Sequence, residues 1–344
     1  MKDVLVTGGA GFLGMELVRS LAASGLRPRV LDLNDPNDPR VDDSIDFTRG
    51  DVRDASTVSE MTRGVDTVFH LAAAVLPTRG KANYTSINTG GTRNVLRACM
   101  DHGVQHVVHI STSAIYGIPK ALPVTEETEL RPMGYYGNAK HEGELEVHKA
   151  REQGLKVSIL RPRTIIGTER LGIFHILFDW IKAGKRIPII GSGDNLFQFI
   201  SARDVVSASI LAAEKQVDDD FNIGAEEFST VRDDLESLVR HAGSGSRVVS
   251  IPALMAKAPL QVLDLMRLSP LMDWQYKVAD KPFYFDIGKA KRELGWQPQD
   301  SNAGMFIDSY DWYVREYTDT ASAYGSTHRQ AVRQRALRLL RKVF

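Results

Sequence analysis

The sequence lacks the features that mark several common classes of protein. Its one cysteine, Cys99, excludes an intrachain disulfide framework and a zinc site built from cysteines. The 43 basic residues are balanced by 43 acidic ones, so no net positive charge favours nucleic acid binding. Charged residues and prolines interrupt the most apolar long stretch, residues 251–272, which is therefore a poor transmembrane helix. We expect a cytoplasmic protein with no nucleic acid partner.

The histidines do not predict a metal site. His102, His106 and His109 are close in sequence, but they straddle an expected helix end and a buried strand. No carboxylate accompanies them at the spacing of metal ligands. We therefore expect no bound metal.

Short apolar runs alternate with segments of helical periodicity through the first half of the chain. Strand, helix and strand repeated in this way predict an α/β fold of the Rossmann type, a doubly wound parallel sheet with helices on both faces. The expected strands are residues 3–7, 29–32, 46–50, 67–71, 106–111 and 157–161.

The second half of the chain loses this regular alternation. Residues 184–193 are typical of a loop, whereas residues 204–213 and 229–241 have the pattern of helices. From residue 251 onward Pro and Met are frequent. These features predict a smaller C-terminal α/β substrate-binding lobe that closes over the carboxyl end of the sheet, where open α/β sheets bind ligands.

A glycine-rich turn follows the first expected strand and opens the first expected helix. Gly8, Gly11 and Gly14 have the spacing G-x-x-G-x-x-G, which permits a tight turn, a close approach to a pyrophosphate and close packing of helix on strand. The positive end of the helix dipole favours phosphate there. The turn, which includes Phe12 and Leu13, predicts a dinucleotide site; a connection without a ligand is the alternative.

An acidic residue, Asp32, ends the second expected strand, 18 residues after Gly14. Its carboxylate can accept hydrogen bonds from a ribose 2′-hydroxyl and would repel a 2′-phosphate, which favours NAD over NADP. The alternative is an ordinary loop aspartate, and Arg27, Arg29 and Arg40 are close in sequence.

Tyr136 and Lys140 lie four residues apart on an expected helix that runs to Ala150, so they share one helix face. Tyrosine, with a pKa near ~10, is a poor base at neutral pH, but a nearby ammonium stabilises its phenolate and lowers that pKa. The pair therefore predicts acid–base chemistry beside the nucleotide. A solvated pair on an amphipathic helix is the alternative.

The combination of these motifs resembles the extended short-chain dehydrogenase/reductase superfamily, in its NAD-dependent epimerase/dehydratase branch. The similarity runs from residue 3 to about residue 318. Further matching segments are Gly50-Asp51-Val52, His70-Leu71-Ala72-Ala73, Asn88 with Gly91-Thr92, the run of residues 111–117 and Leu294-Gly295-Trp296-Gln297-Pro298.

The resemblance implies a catalytic set of Thr112, Tyr136 and Lys140. Tyr136 would take the proton of a secondary alcohol as hydride passes to NAD, with Lys140 as its partner. The hydroxyl of Thr112 would hold the reacting oxygen. A ketone that leaves makes the enzyme a dehydrogenase, whereas a ketone that takes the hydride back on its other face makes it an epimerase.

The resemblance also implies the remaining cofactor contacts. Asp51 and Val52 would contact adenine, and Ala72 and Ala73 would line the nicotinamide side. The further cofactor-binding positions are Leu71, Asn88 and Pro162.

Together, the resemblance and the alternation pattern predict three parts of the chain. Residues 1–167 would form the NAD-binding domain, to which residues 195–224 return. Residues 168–194 and 225–318 would form the substrate-binding lobe.

The third part is a tail of residues 319–344, which has no acidic residue after Asp319. Its basic and apolar residues alternate at helical pitch, which predicts a basic amphipathic helix that can make peripheral contact with an anionic membrane. Packing on its own lobe or on a second subunit is the alternative. Many members of the family dimerise, so the resemblance implies a homodimer.

Several positions depart from the family pattern. Ser113 and Ala114 stand where related 4,6-dehydratases carry an Asp-Glu pair, so dehydration is not expected. In the segments that hold the diphosphate of nucleotide sugars, Thr164 replaces an Asn and Phe197 an Arg, and residues 278–281 lack the usual R-x-G-D group.

The substrate is therefore the least determined part of the prediction. Arg163 and Lys281 are candidates to replace the missing phosphate contacts. The predicted substrate-binding residues are Ser113, Arg163, Thr164 and Phe197.

A second resemblance connects residues 193–212 and 283–286 with the 3β-hydroxysteroid dehydrogenase-like branch. Apolar residues of the lobe would then wall a hydrophobic pocket, although apolar residues at helical spacing usually form core. They are Leu254, Met255, Ala258, Val262, Leu263, Leu265 and Met266.

Three functions follow from this pattern. The leading one is an NAD-dependent epimerase of a nucleotide-linked or lipid-linked sugar that works through a keto intermediate. The second is a dehydrogenase of a hydrophobic alcohol such as a sterol or terpenoid. The third is a redox-silent NAD-binding regulator, which would not need Thr112, Tyr136 and Lys140.

Overall fold

A computed structural model describes residues 1–36, 38–75, 81–169, 174–265 and 273–316. The strands are β1 Val4–Thr7, β2 Arg29–Asp32, β3 Asp46–Arg49, β4 Thr67–His70, β5 His106–Ile110, β6 Val157–Pro162, β7 Thr164–Ile166, β8 Arg186–Ile190, β9 Phe199–Ser201, β10 Asp220–Ile223 and β11 Arg247–Ile251. The helices are α1 Phe12–Ala23, α2 Ala55–Thr62, α3 Lys81–Tyr84, α4 Thr92–Asp101, α5 Gly134–Glu152, α6 Phe174–Lys182, α7 Ala202–Lys215, α8 Val231–Ala242, α9 Ala253–Leu265, α10 Asp273–Val278, α11 Gly288–Leu294 and α12 Asn302–Glu316. Short 3₁₀ turns occupy Asp42–Ser44 and Ser113–Tyr116, and a π-helical segment spans Thr85–Gly91.

Seven parallel strands form the central sheet in the order β10-β6-β5-β4-β1-β2-β3. The chain runs outward from β1 to one edge and then returns to β4, which pairs with the other side of β1. The switch point between β1 and β4 is where ligands bind in open α/β sheets, outside the carboxyl ends of the strands. The sequence-based prediction of a Rossmann-type doubly wound sheet is confirmed.

The strands are buried on both faces because helices cover both. In β5, Val107 and Val108 are both fully buried, yet their side chains belong to two different core clusters. Helices α1 and α7 contribute to one cluster, and α2, α4 and α5 contribute to the other. This two-sided burial explains why the strands are apolar without a strict alternation.

Two small parallel sheets stand outside the central one, β8 with β11 and β7 with β9. The expected loop at residues 184–193 is therefore wrong in its middle, since β8 occupies Arg186–Ile190. The apolar run there is a strand that pairs residue by residue with β11, some 60 positions further along the chain. The division of the chain into domains at the expected boundaries stays a prediction.

Asn302, at the start of α12, ties this region together. Its buried side chain accepts a hydrogen bond from Phe199 N–H (3.0 Å) and donates to Phe197 O and to Asp234 Oδ2 (both 2.7 Å). One amide therefore joins α12, α8 and the segment that carries Phe197. Along the described ranges, no helix combines the length and apolar character needed to span a bilayer.

Candidate active site

The glycine turn lies at the switch point of the sheet. Gly8 has a φ of +74°, and a Cβ there would lie 2.6 Å from Ala72 N, in the segment after β4. A Cβ on Gly14 would lie 2.1 Å from Gly8 O, so only glycine lets α1 pack this closely on the turn. These two contacts explain the spacing of the motif.

The first turn of α1 is suited to an anion. Gly11 occupies the N-cap position and supplies no side-chain cap, and the turn contains no acidic residue. Backbone N–H groups and the helix dipole therefore favour phosphate. Of the two other predicted residues of the turn, Phe12 is buried near Gly167, and Leu13 is partly buried against the core.

Asp32 connects the glycine turn to the end of β2. Its Oδ2 accepts a hydrogen bond from Ala10 N–H (3.0 Å), and its Oδ1 accepts one from Asn34 N–H (2.9 Å). Burial raises the pKa of this carboxyl above its usual range, while the backbone hydrogen bonds act in the opposite direction. The carboxylate thus lies beside the glycine turn, where it could accept hydrogen bonds from the ribose of a dinucleotide.

The other predicted adenine contacts lie after β3. Asp51 is paired with Arg53, which lowers the pKa of the carboxyl. Val52 is buried, and a Cβ on Gly91 would lie 2.6 Å from its Cγ2, so the π-helical segment packs directly on it. Asn94 Nδ2 donates to Val52 O (3.0 Å) and fixes the loop.

Asn88 holds the segment that follows β4. Its fully buried amide accepts from Ala74 N–H (2.7 Å) and donates to Ala74 O (3.1 Å), while Leu71 N–H donates to Thr7 O (3.0 Å). Ala72 and Ala73 lie between these anchors. The predicted cofactor contact of Asn88 would therefore act through the backbone it positions. Pro162 lies at the end of β6, where it pairs in register with Ile223.

Helix α5 brings the tyrosine and lysine to the end of β5. A Cβ on Gly137 would lie 3.0 Å from Ala114 O, so α5 packs tightly on the 3₁₀ turn that Thr112 caps. Thr112 Oγ1 accepts from Ala114 N–H (3.2 Å). Tyr136 is half-buried beside that turn, and Lys140 is buried one helical turn further along.

Lys140 is anchored inside the protein. Its Nζ donates to Ile110 O (2.7 Å) and lies 3.4 Å from His109 Nε2. Burial lowers the pKa of Lys140 to about 8. The same burial, with the neighbouring ammonium, lowers the pKa of His70 to about 3 and that of His109 well below its usual value, so both imidazoles are neutral at pH 7.

The two histidines form a buried layer under the lysine. Their rings are 5.3 Å apart, and His70 lies between Thr7 Oγ1 (2.7 Å) and Thr92 Oγ1 (2.9 Å). Sequence reasoning does not assign His109 to the site. The available signal is that His70 and His109 occupy paired positions of adjacent strands.

The four predicted substrate residues line one pocket. Ser113, Arg163, Thr164 and Phe197 surround it together with Ala114, Gly117, Met133, Val278 and Phe283. Of these, sequence reasoning does not identify Met133, Val278 or Phe283 as pocket residues.

The prediction that apolar residues of α9 wall the pocket is wrong for Leu254, Met255 and Ala258. Leu254 and Met255 on α9 are 81% and 68% exposed, and Ala258 is exposed as well. Helix α9 turns these side chains outward, so they neither wall the pocket nor form core. The side chains of residues 262–266 and the tail of residues 319–344 lie outside the described part of the structure.

Arg163 lies under the aromatic wall of the pocket. Its guanidinium carbon is 3.8 Å from the ring centroid of Phe283, 4.7 Å from that of Phe197 and 5.5 Å from that of Phe285. Its Nε donates to Gln198 O and its Nη1 to Ser113 Oγ, both at 3.1 Å. Burial lowers the pKa of this guanidinium to about 9.

One cluster elsewhere has the composition of a metal site. Glu144, His148 and Asp220 bring possible ligand atoms within 4.8 Å of one another. Arg161 Nη2 already pairs with Glu144 (2.7 Å) and Asp220 (2.6 Å), and Arg151 Nη1 pairs with Asp220 (2.8 Å). Guanidinium groups therefore supply the positive charge that these carboxylates need.

Comparison with known proteins agrees with this architecture. The model of the NAD dependent epimerase/dehydratase family matches residues 4–224. The UDP-glucose 4-epimerase of Lactobacillus helveticus is 31% identical and aligns with 90% of this chain and 96% of its own. The sterol-4-alpha-carboxylate 3-dehydrogenase (decarboxylating) of Mus musculus is 29% identical over 86% of this chain and 87% of its own.

A solved structure extends the comparison to the fold. The dTDP-glucose 4,6-dehydratase DesIV of Streptomyces venezuelae, crystallised with NAD, superposes with a TM-score of 0.74 at 28% identity. The superposition covers 91% of this chain and 97% of that one. The chain is thus an enzyme of the extended short-chain dehydrogenase/reductase type and belongs to the NAD dependent epimerase/dehydratase family.

Proposed function

We propose that this enzyme catalyses reversible hydride transfer between NAD and a secondary alcohol, with Thr112, Tyr136 and Lys140 as its catalytic residues. The close packing of α5 on the turn capped by Thr112 supports this assignment, because the helix that carries Tyr136 and Lys140 lies against the segment that follows β5. In the glycine turn, a Cβ on Gly8 or Gly14 would clash with neighbouring backbone atoms. A turn this tight fits a pyrophosphate at the start of α1.

Each side chain would have a distinct part in the reaction. Thr112 would hold the alcohol oxygen, and Tyr136 would take its proton. The buried ammonium of Lys140 would stabilise the phenolate form of Tyr136. When bound, NAD supplies the hydride acceptor.

NAD is the proposed cofactor in preference to NADP. The carboxylate of Asp32, held by Ala10 N–H and Asn34 N–H at the end of β2, supports this choice. It can accept a hydrogen bond from a ribose hydroxyl but repels a 2′-phosphate. The NAD in the DesIV structure is consistent with the same preference.

The proposed substrate is a hydrophobic secondary alcohol, and the enzyme is a net dehydrogenase. The observation that carries this proposal is the pocket lining, in which Phe197 and Phe283 stand with Met133 and Val278. Phe197 replaces the arginine expected in nucleotide-sugar enzymes, so one cation for a diphosphate is lost. The relative that oxidises a sterol carboxylate supports the same choice.

A screen for NADH formation at 340 nm tests this proposal. With NAD in excess, a 3β-hydroxysterol should give NADH, and Tyr136→Phe should lower kcat at least ~100-fold by removing the acid–base group. Tyr135→Phe is the matched control, because the side chain of Tyr135, the residue directly before Tyr136, is 59% exposed. Unchanged activity in Tyr136→Phe would contradict the catalytic assignment.

Sugar epimerisation is the second candidate, for a nucleotide-linked or lipid-linked sugar. The 31% identity with a UDP-glucose 4-epimerase over 90% of this chain favours it. It predicts that a UDP-sugar gives its epimer without net NADH. Bound NAD without turnover of either class would instead favour the redox-silent regulator. A cytoplasmic homodimer with a membrane-contacting tail remains a prediction.

A further inference from the structure

Two buried arginines near the end of β6 differ in the groups that surround their charge. Arg161 is paired with the carboxylates of Glu144 and Asp220. Arg163 is only 3% exposed, yet no carboxylate of the described residues lies within ion-pair distance of it. Its charge is surrounded by aromatic rings instead.

The hydrogen-bonding capacity of Arg163 is also incompletely used. A guanidinium has five N–H donors in a planar fork. Nε and Nη1 donate to Gln198 O and Ser113 Oγ, but Nη2 is buried with no hydrogen-bond partner among the described residues. Burying a cation without an anion is costly, and an unmade hydrogen bond adds to that cost. The site therefore lacks one anionic acceptor.

The position of Arg163 relates this acceptor to the reaction. Arg163 lines the pocket and is bonded to Ser113, the residue that directly follows Thr112. Successive Cα atoms are about 3.8 Å apart, so the residue that binds Arg163 and the residue proposed to hold the alcohol are neighbours on one segment. An anion at Arg163 would therefore belong to the substrate.

The number of charges indicates which anion fits. Arg163 is the only charged residue among the described residues that line the pocket. One guanidinium matches the single charge of a carboxylate, to which its planar fork can donate two parallel hydrogen bonds. A diphosphate would need further cations that this lining does not contain.

We propose that Arg163 and Ser113 form a carboxylate-binding subsite, which makes the preferred substrate a hydrophobic hydroxy acid. This inference rests on the proposed function and specifies its substrate class. The carbinol C–H passes to NAD as hydride with two electrons, and the O–H proton passes to Tyr136. The C–O single bond becomes a carbonyl, and the carboxylate is unchanged, so the product is an oxo acid.

Ligand binding tests the subsite without any turnover. Cyclohexanecarboxylate, titrated calorimetrically into the full chain loaded with NAD, should bind saturably. Arg163→Met should weaken it at least about 30-fold, since removing one partner of a buried charge pair has effects of that size. Arg163→Lys should retain part of the affinity. Ser113→Ala, a smaller change, covers the case in which Arg163→Met fails to fold and should weaken binding several-fold.

The remaining arms separate the outcomes. Methyl cyclohexanecarboxylate should bind far more weakly than the acid, and equal affinity would overturn the proposal. Tighter binding of inorganic phosphate than of the acid would mean that the subsite takes a phosphate, and it would overturn the carboxylate proposal. No binding of the acid, or unchanged binding in Arg163→Met, would also overturn it. Tyr136→Phe should bind the acid normally, so a failure of the proposed chemistry is distinguishable from a failure of the subsite.

Discussion

Replacing Lys140 by methionine should change how the stability of the protein depends on pH. Lys140 is buried, and this burial lowers its pKa from the ordinary value of 10.5 to about 8. At pH 7 the folded protein therefore holds a buried ammonium at a cost of about 3 kcal/mol relative to the unfolded chain, from ~1.36 kcal/mol per pKa unit. Methionine fills similar space without this cost.

The sign of the pH effect follows from proton binding. Between pH 8 and pH 10.5 the unfolded chain binds more protons at Lys140 than the folded protein does. The wild type therefore gains stability in this window as pH rises, and the variant does not. Between pH 7 and pH 10, the unfolding free energy of the wild type should rise by about 2 to 3 kcal/mol relative to that of the variant.

Urea unfolding followed by tryptophan fluorescence at pH 7, 8, 9 and 10 measures this difference. The loss of the hydrogen bond to Ile110 O lowers the variant's stability equally at every pH, so it does not disturb the trend. Lys149→Met on the same helix is the control, because Lys149 is 62% exposed and should show no such trend. A difference that stays constant over the four pH values would refute the reasoning.

Three further predictions concern other parts of the molecule. Gly14→Ala should weaken NAD binding at least ~10-fold, measured by calorimetry, because its Cβ would lie 2.1 Å from Gly8 O and must displace the turn. Asp32→Ala should lower the preference for NAD over NADP at least ~10-fold in kcat/KM, and an unchanged ratio would remove Asp32 from cofactor selection. Arg161→Met should lower the unfolding free energy by about 3–5 kcal/mol in urea, since it leaves the buried carboxylate of Glu144 without its cation; a loss below ~1 kcal/mol would contradict this account.

The central sheet could be predicted from the sequence because its information is local. In β5, Val107 and Val108 place apolar side chains on opposite faces directly after a helical segment, which is enough to predict a buried parallel strand. The glycine turn could be predicted equally well, because Gly8 and Gly14 are required by contacts within the turn or with the adjacent strand end.

The parts that sequence reasoning missed depend on contacts between distant segments. Strand β8 contains Pro188, and it pairs with β11, which lies far along the chain. From the sequence alone, its short apolar run between glycines is therefore interpreted as a loop. The outward orientation of Leu254 and Met255 depends on how α9 docks, which helical periodicity does not determine. The ring of Phe283 that packs on the Arg163 guanidinium lies 120 positions further along the chain, so the local sequence does not show what surrounds this charge.

The amide of Asn302 has a consequence for engineering this enzyme. Because the same side chain bonds to Phe197 O, Phe199 N–H and Asp234, the pocket wall and the helix that begins at residue 302 form one mechanical unit. A chimera that exchanged substrate specificity with a relative would have to transplant residues 195–201, 229–242 and 302–316 together. Recombination points within this set would separate the donors of the amide's hydrogen bonds from their acceptors.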